Sequence, residues 1–230
     1  MNESWTKKSR DDVSLKNVLK ELSGRERIEY LWEYYKVPIL LVVLGLIILA
    51  FSIAWFLSRK TTYFTAELVD VTGSYYEVRK LGTDIFQDYL LEEGLDPDKY
   101  NIDVIDSRSV DFENMDPNTS STLQIMTAEF SSGSFDLFVA DEPVWEFYAP
   151  YGAVMDLRDV LPKDWLENHR DLWYMITMDE TGEEILAGIY AKEGSRLMSQ
   201  GCYVLPKPMG IAIHCKDPEK IGKFIMWAAE

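Results

Sequence analysis

An uncharged apolar stretch near the amino terminus constrains this chain more than any other feature. Residues 37–57 read VPILLVVLGLIILAFSIAWFL and contain no charged side chain over 21 positions. As an α-helix with a rise of about 1.5 Å per residue, this stretch is about 31 Å long, which matches the hydrocarbon core of a bilayer. The sequence therefore predicts a single transmembrane helix at 37–57, with the lipid bilayer as its partner, and not a wholly soluble protein.

Basic residues on the two sides of this helix predict its orientation. Residues 1–36 carry eight lysines and arginines, whereas the 20 residues after the helix carry two, Arg59 and Lys60. The positive-inside rule then places the amino terminus in the cytoplasm. The stretch is also too long for a cleaved signal peptide. We therefore expect a single-pass protein of the cell membrane, with a cytoplasmic segment at 1–36, a short linker at 58–62 and an extracytoplasmic domain at 63–230.

The cytoplasmic segment carries two short amphipathic patterns. Leu15, Val18, Leu19 and Leu22 form one helical stripe, and the S-x-x-E spacing of Ser23 and Glu26 predicts the start of a second helix. Two interpretations stay open for this segment: a docking helix for a partner, or an interfacial lead-in to the membrane helix.

The charge of the chain excludes one class of partner. The whole chain has a net charge of −16, and residues 61–230 alone hold 13 basic and 32 acidic residues. Binding to nucleic acid depends on clustered positive charge that neutralises phosphates. We therefore expect no nucleic-acid partner for this protein.

Apolar periodicity in residues 63–230 alternates between the periods of strands and helices. This alternation predicts an α/β domain in which a parallel sheet carries helices on its faces. Two more strands and a helix that begins at Asp217-Pro218 follow. The predicted strands are 63–71, 101–105, 135–140, 185–191 and 209–214, and the predicted helices between them are 81–91, 119–130 and 144–151.

Several stretches of this domain are similar to a known fold. They are SGSFDLFV at 132–139, YAPYGAVMDL at 148–157, PMGIAI at 208–213 and DPEK at 217–220. Together they resemble the type II periplasmic-binding-protein fold, that of the extracellular solute-binding proteins of ABC importers. This resemblance implies a three-layer domain, and its length of about 170 residues implies a reduced second lobe. With WEYYK at 32–36 before the membrane helix, the layout also resembles an uncharacterised group of Gram-positive single-pass membrane proteins.

The predicted strand ends supply candidate ligand-binding residues, because open parallel sheets bind ligands at the carboxyl ends of their strands. These candidates are Tyr75, Asp106 and Asp141, with Trp145 one turn after Asp141. An aromatic ring beside carboxylates suits a sugar or a cation. A structural interpretation stays open for each of them, since Asp141 before Pro143 is also a natural helix cap.

The remaining chemistry-bearing residues point to no enzyme and no cofactor. Cys202 and Cys215 are the only cysteines, and on the exported side they form either a disulfide or two free thiols. His169 and His214 are the only histidines and lack the spacing of metal ligands. The sequence contains no nucleophile-elbow motif and no phosphate-binding glycine loop.

Two functions remain after these exclusions. The first is a membrane-anchored solute-binding domain that binds a small solute such as a sugar, or that assists a membrane transporter. The second is an interaction or structural module that has kept the fold and lost the ligand cleft. A cleft lined by Tyr75, Asp141 and Trp145 would favour the first function.

Overall fold

The computed structural model describes residues 23–71, 85–200 and 206–230. The chain divides into two compact units, Met1–Arg59 and Lys60–Glu230. The predicted stripe between Leu15 and Leu22 lies outside the described residues, and so does Tyr75. Each unit is described by itself below.

The first unit contains one long helix, α1 (Gly24–Leu57). This helix begins directly after Ser23, as the S-x-x-E spacing predicts. Between Lys36 and Phe56 its mean hydropathy is 3.0 and none of the residues is buried. A helix with apolar side chains all round is stable in lipid and unfavourable in water. By length and composition α1 is therefore able to cross a membrane, which is consistent with single-pass anchoring.

The second unit is built on a six-stranded sheet whose strands pair in the order β2-β1-β3-β6-β5-β4. The strands are β1 (Thr61–Val69), β2 (Tyr100–Arg108), β3 (Leu137–Val139), β4 (Trp173–Thr177), β5 (Glu184–Ala191) and β6 (Lys207–Ile211).

Helices in this unit begin and end at residues suited to those positions. They are α2 (Ile85–Glu92), α3 (Pro117–Ser132), α4 (Glu142–Tyr148), α5 (Lys163–Asn168) and α6 (Pro218–Ala229). Asp116 accepts a hydrogen bond from the Thr119 amide at the start of α3, and Gly133 ends that helix in the left-handed conformation. Asp217 caps α6 through the Lys220 amide, as the Asp-Pro pair predicts.

The sheet is only partly parallel, which corrects the expectation of a parallel sheet. β1 pairs in parallel with β2 and with β3, as predicted. In contrast, β6 is antiparallel to β3 and to β5, and β4 is antiparallel to β5. A short connection joins β4 to β5, and strands joined in this way pair antiparallel. β6 returns from late in the chain and inserts between β3 and β5.

Helices cover both faces of the sheet, so the unit has three layers. One apolar cluster joins residues of α2 and α6, such as Tyr89 and Phe224, to Leu68 of β1. The other cluster joins residues of α3 and α4, such as Phe130 and Trp145, to Phe138 of β3. Side chains alternate between the two faces of a strand, which is why neighbouring residues of one strand belong to different clusters.

Candidate functional site

The ends of four strands meet at one edge of the sheet. β1, β2 and β3 are parallel, so their carboxyl ends lie at the same edge. β6 is antiparallel to β3, with Val139 opposite Met209, and its first residue therefore reaches this edge too. The sheet thus brings Asp70, Ser109, Asp141 and Lys207 to one place from four distant parts of the sequence.

A cavity of about 530 Å³ opens at this edge, and we call it the edge cavity. Its lining combines four carboxylates and one ammonium group with four apolar side chains from α4 and the loop after β2. The lining residues are Asp70, Ser109, Val110, Asp111, Phe112, Glu113, Asp141, Pro143, Val144 and Lys207.

A buried lysine is the unusual feature of the edge cavity. Lys207 begins β6, in which every residue is buried, and its side chain is only 7% exposed. Its ammonium group forms an ion pair with the Asp141 carboxylate, which is 40% exposed. Burial lowers the pKa of Lys207, and the nearby Asp70 carboxylate raises it in part. A buried ammonium group needs such partners, because removal from water penalises its charge.

Asp141 occupies the N-cap position of α4 without capping it through its side chain. Its backbone carbonyl accepts hydrogen bonds from the amides of Val144 and Trp145, but its carboxylate makes no cap hydrogen bond. The carboxylate is directed to Lys207 instead. Of the two interpretations of Asp141, the structure therefore shows the cap position but not the side-chain cap. A ligand-binding role for Asp141 stays a prediction.

Asp70 joins the ends of β1 and β2 in an uncommon backbone conformation. Its φ of 55° lies in the left-handed region, which aspartate tolerates better than most residues. Its Oδ1 accepts hydrogen bonds from the Ser109 hydroxyl at 2.6 Å and from the Val110 amide at 3.0 Å. Its own amide donates to the carbonyl oxygen of Arg108 at 2.9 Å. These bonds fix one wall of the edge cavity.

The other predicted site residues lie in different environments. Trp145 is 0% exposed, and its indole N–H donates to the Pro208 carbonyl at 3.3 Å. Its ring centroid lies 4.9 Å from that of Phe138 in the core. Asp106 is half-buried within β2, and Tyr75 is outside the described residues. The ligand-binding roles of these three residues stay predictions.

Cys215 is a buried residue, 8% exposed, and burial raises the pKa of its thiol to about 12. Cys202 is outside the described residues, so the disulfide stays a prediction. Among the residues that the structure describes, no three His, Cys, Asp or Glu side chains are grouped to hold a metal ion.

No family model matches this chain. The curated proteins and the solved structures also yield no match.

A second cavity, of about 490 Å³, lies between the end of α3 and the residues that follow α4. Its lining is mostly apolar and includes Phe130, Phe147, Tyr151 and Ile213. Phe147, Tyr151 and Ile213 are 42%, 72% and 38% exposed. This surface offers rings and aliphatic groups, whereas the edge cavity offers hydrogen-bond acceptors and a cation.

Of the residues that line the edge cavity, sequence reasoning selected only Asp141, and it missed Asp70 and Lys207 among the others. Asp70 fell inside the predicted strand 63–71, whereas the observed β1 ends at Val69. Lys207 stood before the predicted strand 209–214, whereas the observed β6 begins at Lys207 itself. The sequence did contain a signal for Lys207. A lysine directly before an apolar run is either a strand end or a buried charge with a partner.

Proposed function

We propose that this protein is a membrane-anchored, solute-binding-protein-like domain that binds a small polar solute, such as a sugar, in the edge cavity. The α1 helix anchors the chain in the membrane, and the excess of basic residues at 1–36 supports a cytoplasmic amino terminus with the domain outside. The proposal agrees with the resemblance to extracellular solute-binding proteins of ABC importers, since the cavity lies at the carboxyl ends of parallel strands. A membrane transporter is then the partner that receives the solute.

The observation that carries this proposal is the Asp141–Lys207 ion pair inside the edge cavity. A buried ion pair is weak evidence for a stabilising role, since apolar residues often stabilise a fold equally well. Its placement in a cavity, with the carboxylate partly open to solvent, provides a donor and acceptors for a ligand. Small-molecule sites combine a few such polar groups with an apolar wall.

The size and lining of the cavity favour a small polar solute. A volume of about 530 Å³ lies within the range of small-molecule sites, which is about 300–1,000 Å³. Phe112, Pro143 and Val144 give an apolar wall against which a sugar ring can pack, and Ser109 adds a hydroxyl group. The excess of carboxylates in the lining favours a solute rich in hydroxyl or amino groups over an anion.

A thermal-shift screen of the full-length protein in nanodiscs tests the proposal, with sugars, amino acids, peptides and divalent cations as probes. A ligand at 100 times its dissociation constant stabilises the folded state by about 2.7 kcal/mol. For a domain of this size the expected rise in Tm is about 5–11 °C. The Asp141→Asn and Lys207→Met variants should each abolish the shift.

The exposed ion pair between Lys192 and Asp171 provides a matched control. Asp171→Asn removes the same type of group outside the edge cavity and should leave the ligand shift unchanged. The proposal is wrong if no probe shifts the folded protein, or if the shift survives in Asp141→Asn and Lys207→Met alike.

A second candidate function is the protein-interaction module. The exposed apolar side chains of the second cavity, Phe147, Tyr151 and Ile213, favour it, because apolar groups clustered on a surface mark interaction sites. A folded protein that is silent across the whole solute panel would shift the assignment to this function.

A further inference from the structure

A buried glutamate lies in the middle of the sheet, away from the lining of the edge cavity. Glu67 belongs to β1, which pairs with a strand on each side, and its side chain is 0% exposed. Its neighbour in the parallel strand β2 is Ile105. Ionised side chains are almost never fully buried unless they are paired.

The only counter-charge within ion-pair distance of Glu67 in the described residues is shared. Arg108 Nη1 lies 3.2 Å from Glu67 Oε1. The same guanidinium group is engaged with Glu129 of α3 through both Nη1 and Nη2, and its Nη2–Oε1 distance is 2.7 Å. Within the part of the chain that the structure describes, neither carboxylate oxygen of Glu67 has a hydrogen-bond partner.

The charged groups around Glu67 carry more negative than positive charge. Arg108 and Asp106 of β2 and Glu129 of α3 act electrostatically on Glu67, and Glu67 acts on Tyr148 of α4. The single guanidinium group of Arg108 is thus outnumbered by three carboxyl groups, those of Glu67, Glu129 and Asp106. Of these, Glu67 is the most deeply buried, with a side chain 0% exposed against 23% for Glu129. Protonation of Glu67 would remove the buried charge and leave Arg108 and Glu129 as a matched bidentate pair.

We infer that Glu67 holds a proton in the folded protein at neutral pH, and that the Glu67–Arg108–Glu129 cluster is a pH-sensitive element of the sheet. This inference does not depend on whether the edge cavity binds a solute. The direction of the pKa shift agrees with it. Burial raises the pKa of Glu67 most, Arg108 lowers it, and Glu129 and Asp106 raise it, so that the pKa is about 8 with all four effects combined.

The cluster is connected to the wall of the edge cavity through the backbone. The carbonyl oxygen of Arg108 accepts the Asp70 amide, and the next two residues, Ser109 and Val110, hold the Asp70 carboxylate. When Glu67 loses its proton, the Arg108 guanidinium is attracted by two carboxylates instead of one.

The raised pKa of Glu67 determines the direction of the pH effect. Between the pKa of the unfolded chain, about 4.5, and that of the folded protein, the folded state holds one more proton than the unfolded state. The stabilisation by this proton is complete below the lower value and is lost as the pH rises towards 8. Wild-type stability should therefore fall with rising pH relative to a variant without this group.

The test compares the unfolding equilibrium of the full-length protein in nanodiscs with that of Glu67→Gln between about pH 5 and pH 8. The unfolding constant of the wild type divided by that of Glu67→Gln should rise with pH. The rise should approach tenfold per pH unit, which corresponds to one proton. Glu167→Gln, which changes an exposed glutamate paired with Arg170, should keep the wild-type pH profile. A ratio that stays constant with pH overturns the inference.

If Glu67→Gln does not fold, an infrared measurement on the wild-type protein tests whether Glu67 is protonated. A protonated carboxyl group absorbs separately from carboxylates, and at neutral pH all exposed acids are ionised. We expect a buried-acid band at pH 6 that disappears above the folded-state pKa of about 8. Absence of this band from the folded protein at pH 6 also overturns the inference.

Discussion

Substitution of Gly210 by alanine tests how β6 packs against Trp145 and β5. Gly210 lies at the centre of the sheet in β6, opposite Phe138 of β3. A Cβ atom at this position would overlap the carbonyl oxygen of Ala187 and would lie 2.5 Å from Cη2 of Trp145. The backbone of β5 is held by its pairing with β6, and the Trp145 ring is held by its hydrogen bond to the Pro208 carbonyl. Neither neighbour is free to move away.

The expected loss of stability follows from this overlap. Overpacking of a core costs about 1–3 kcal/mol, and two constrained neighbours place Gly210→Ala at about 3 kcal/mol. For a domain of this size that loss corresponds to a fall in Tm of about 6–12 °C. Thermal unfolding of the full-length protein in nanodiscs, followed by tryptophan fluorescence, measures it.

Gly188→Ala is the matched control, because Gly188 lies in the neighbouring strand β5. Its added Cβ would be 3.1 Å from Pro208 Cβ and 3.3 Å from the carbonyl oxygen of Met209, which requires only a small adjustment. We expect a loss of about 1 kcal/mol. If Gly210→Ala is no less stable than Gly188→Ala, the described packing of Trp145 on β6 is wrong.

Two further predictions concern a carboxylate and a thiol. Burial raises the pKa of Asp156, but hydrogen bonds from Arg158 and the Leu186 amide outweigh it and hold the pKa below its usual value. Asp156→Asn should therefore lower the urea midpoint at pH 7. The difference from wild type should shrink as the pH falls below about 4, where the carboxylate of the unfolded chain gains its proton, towards the lower pKa of the native carboxylate. In a Cys202→Ser variant, the buried Cys215 thiol should resist alkylation at pH 8 and react fully in urea. Equal alkylation rates in the two states would contradict its burial.

Local patterns made much of this fold predictable. The pattern of apolar residues indicated α3, β2 and β5 close to their observed positions, since α3 buries one stripe and β5 is an apolar run that is buried on both faces. The Asp217-Pro218 pair indicated the start of α6, because aspartate caps a helix and proline suits its first turn. These features depend only on neighbouring residues.

Strand pairing was less predictable, because it depends on residues far apart in sequence. The pattern of β6 predicts a strand but contains nothing that places it between β3 and β5. β4 was not predicted at all. Its residues Trp173–Thr177 are alternately partly exposed and buried before an exposed end.

The candidate site shows the same limit. The rule that ligands bind at strand ends led to Asp141, and the structure does place Asp141 in the edge cavity. Its partner Lys207 comes from β6, so only the tertiary structure brings the two together. Trp145 was chosen because it follows Asp141 by one helical turn, but the side of α4 that bears it faces the core.

The position of β6 also determines the order in which the sheet can be completed during synthesis. Val139 of β3 pairs with Met209, a residue 70 positions later in the chain. A ribosome that adds about 5–20 residues per second needs about 4–14 seconds to cover that distance. Until then one edge of β3 has no neighbouring strand, and its backbone amides and carbonyls are open to other chains. The nascent protein therefore passes through a period of several seconds in which one edge of β3, at the centre of the later sheet, can pair with another chain.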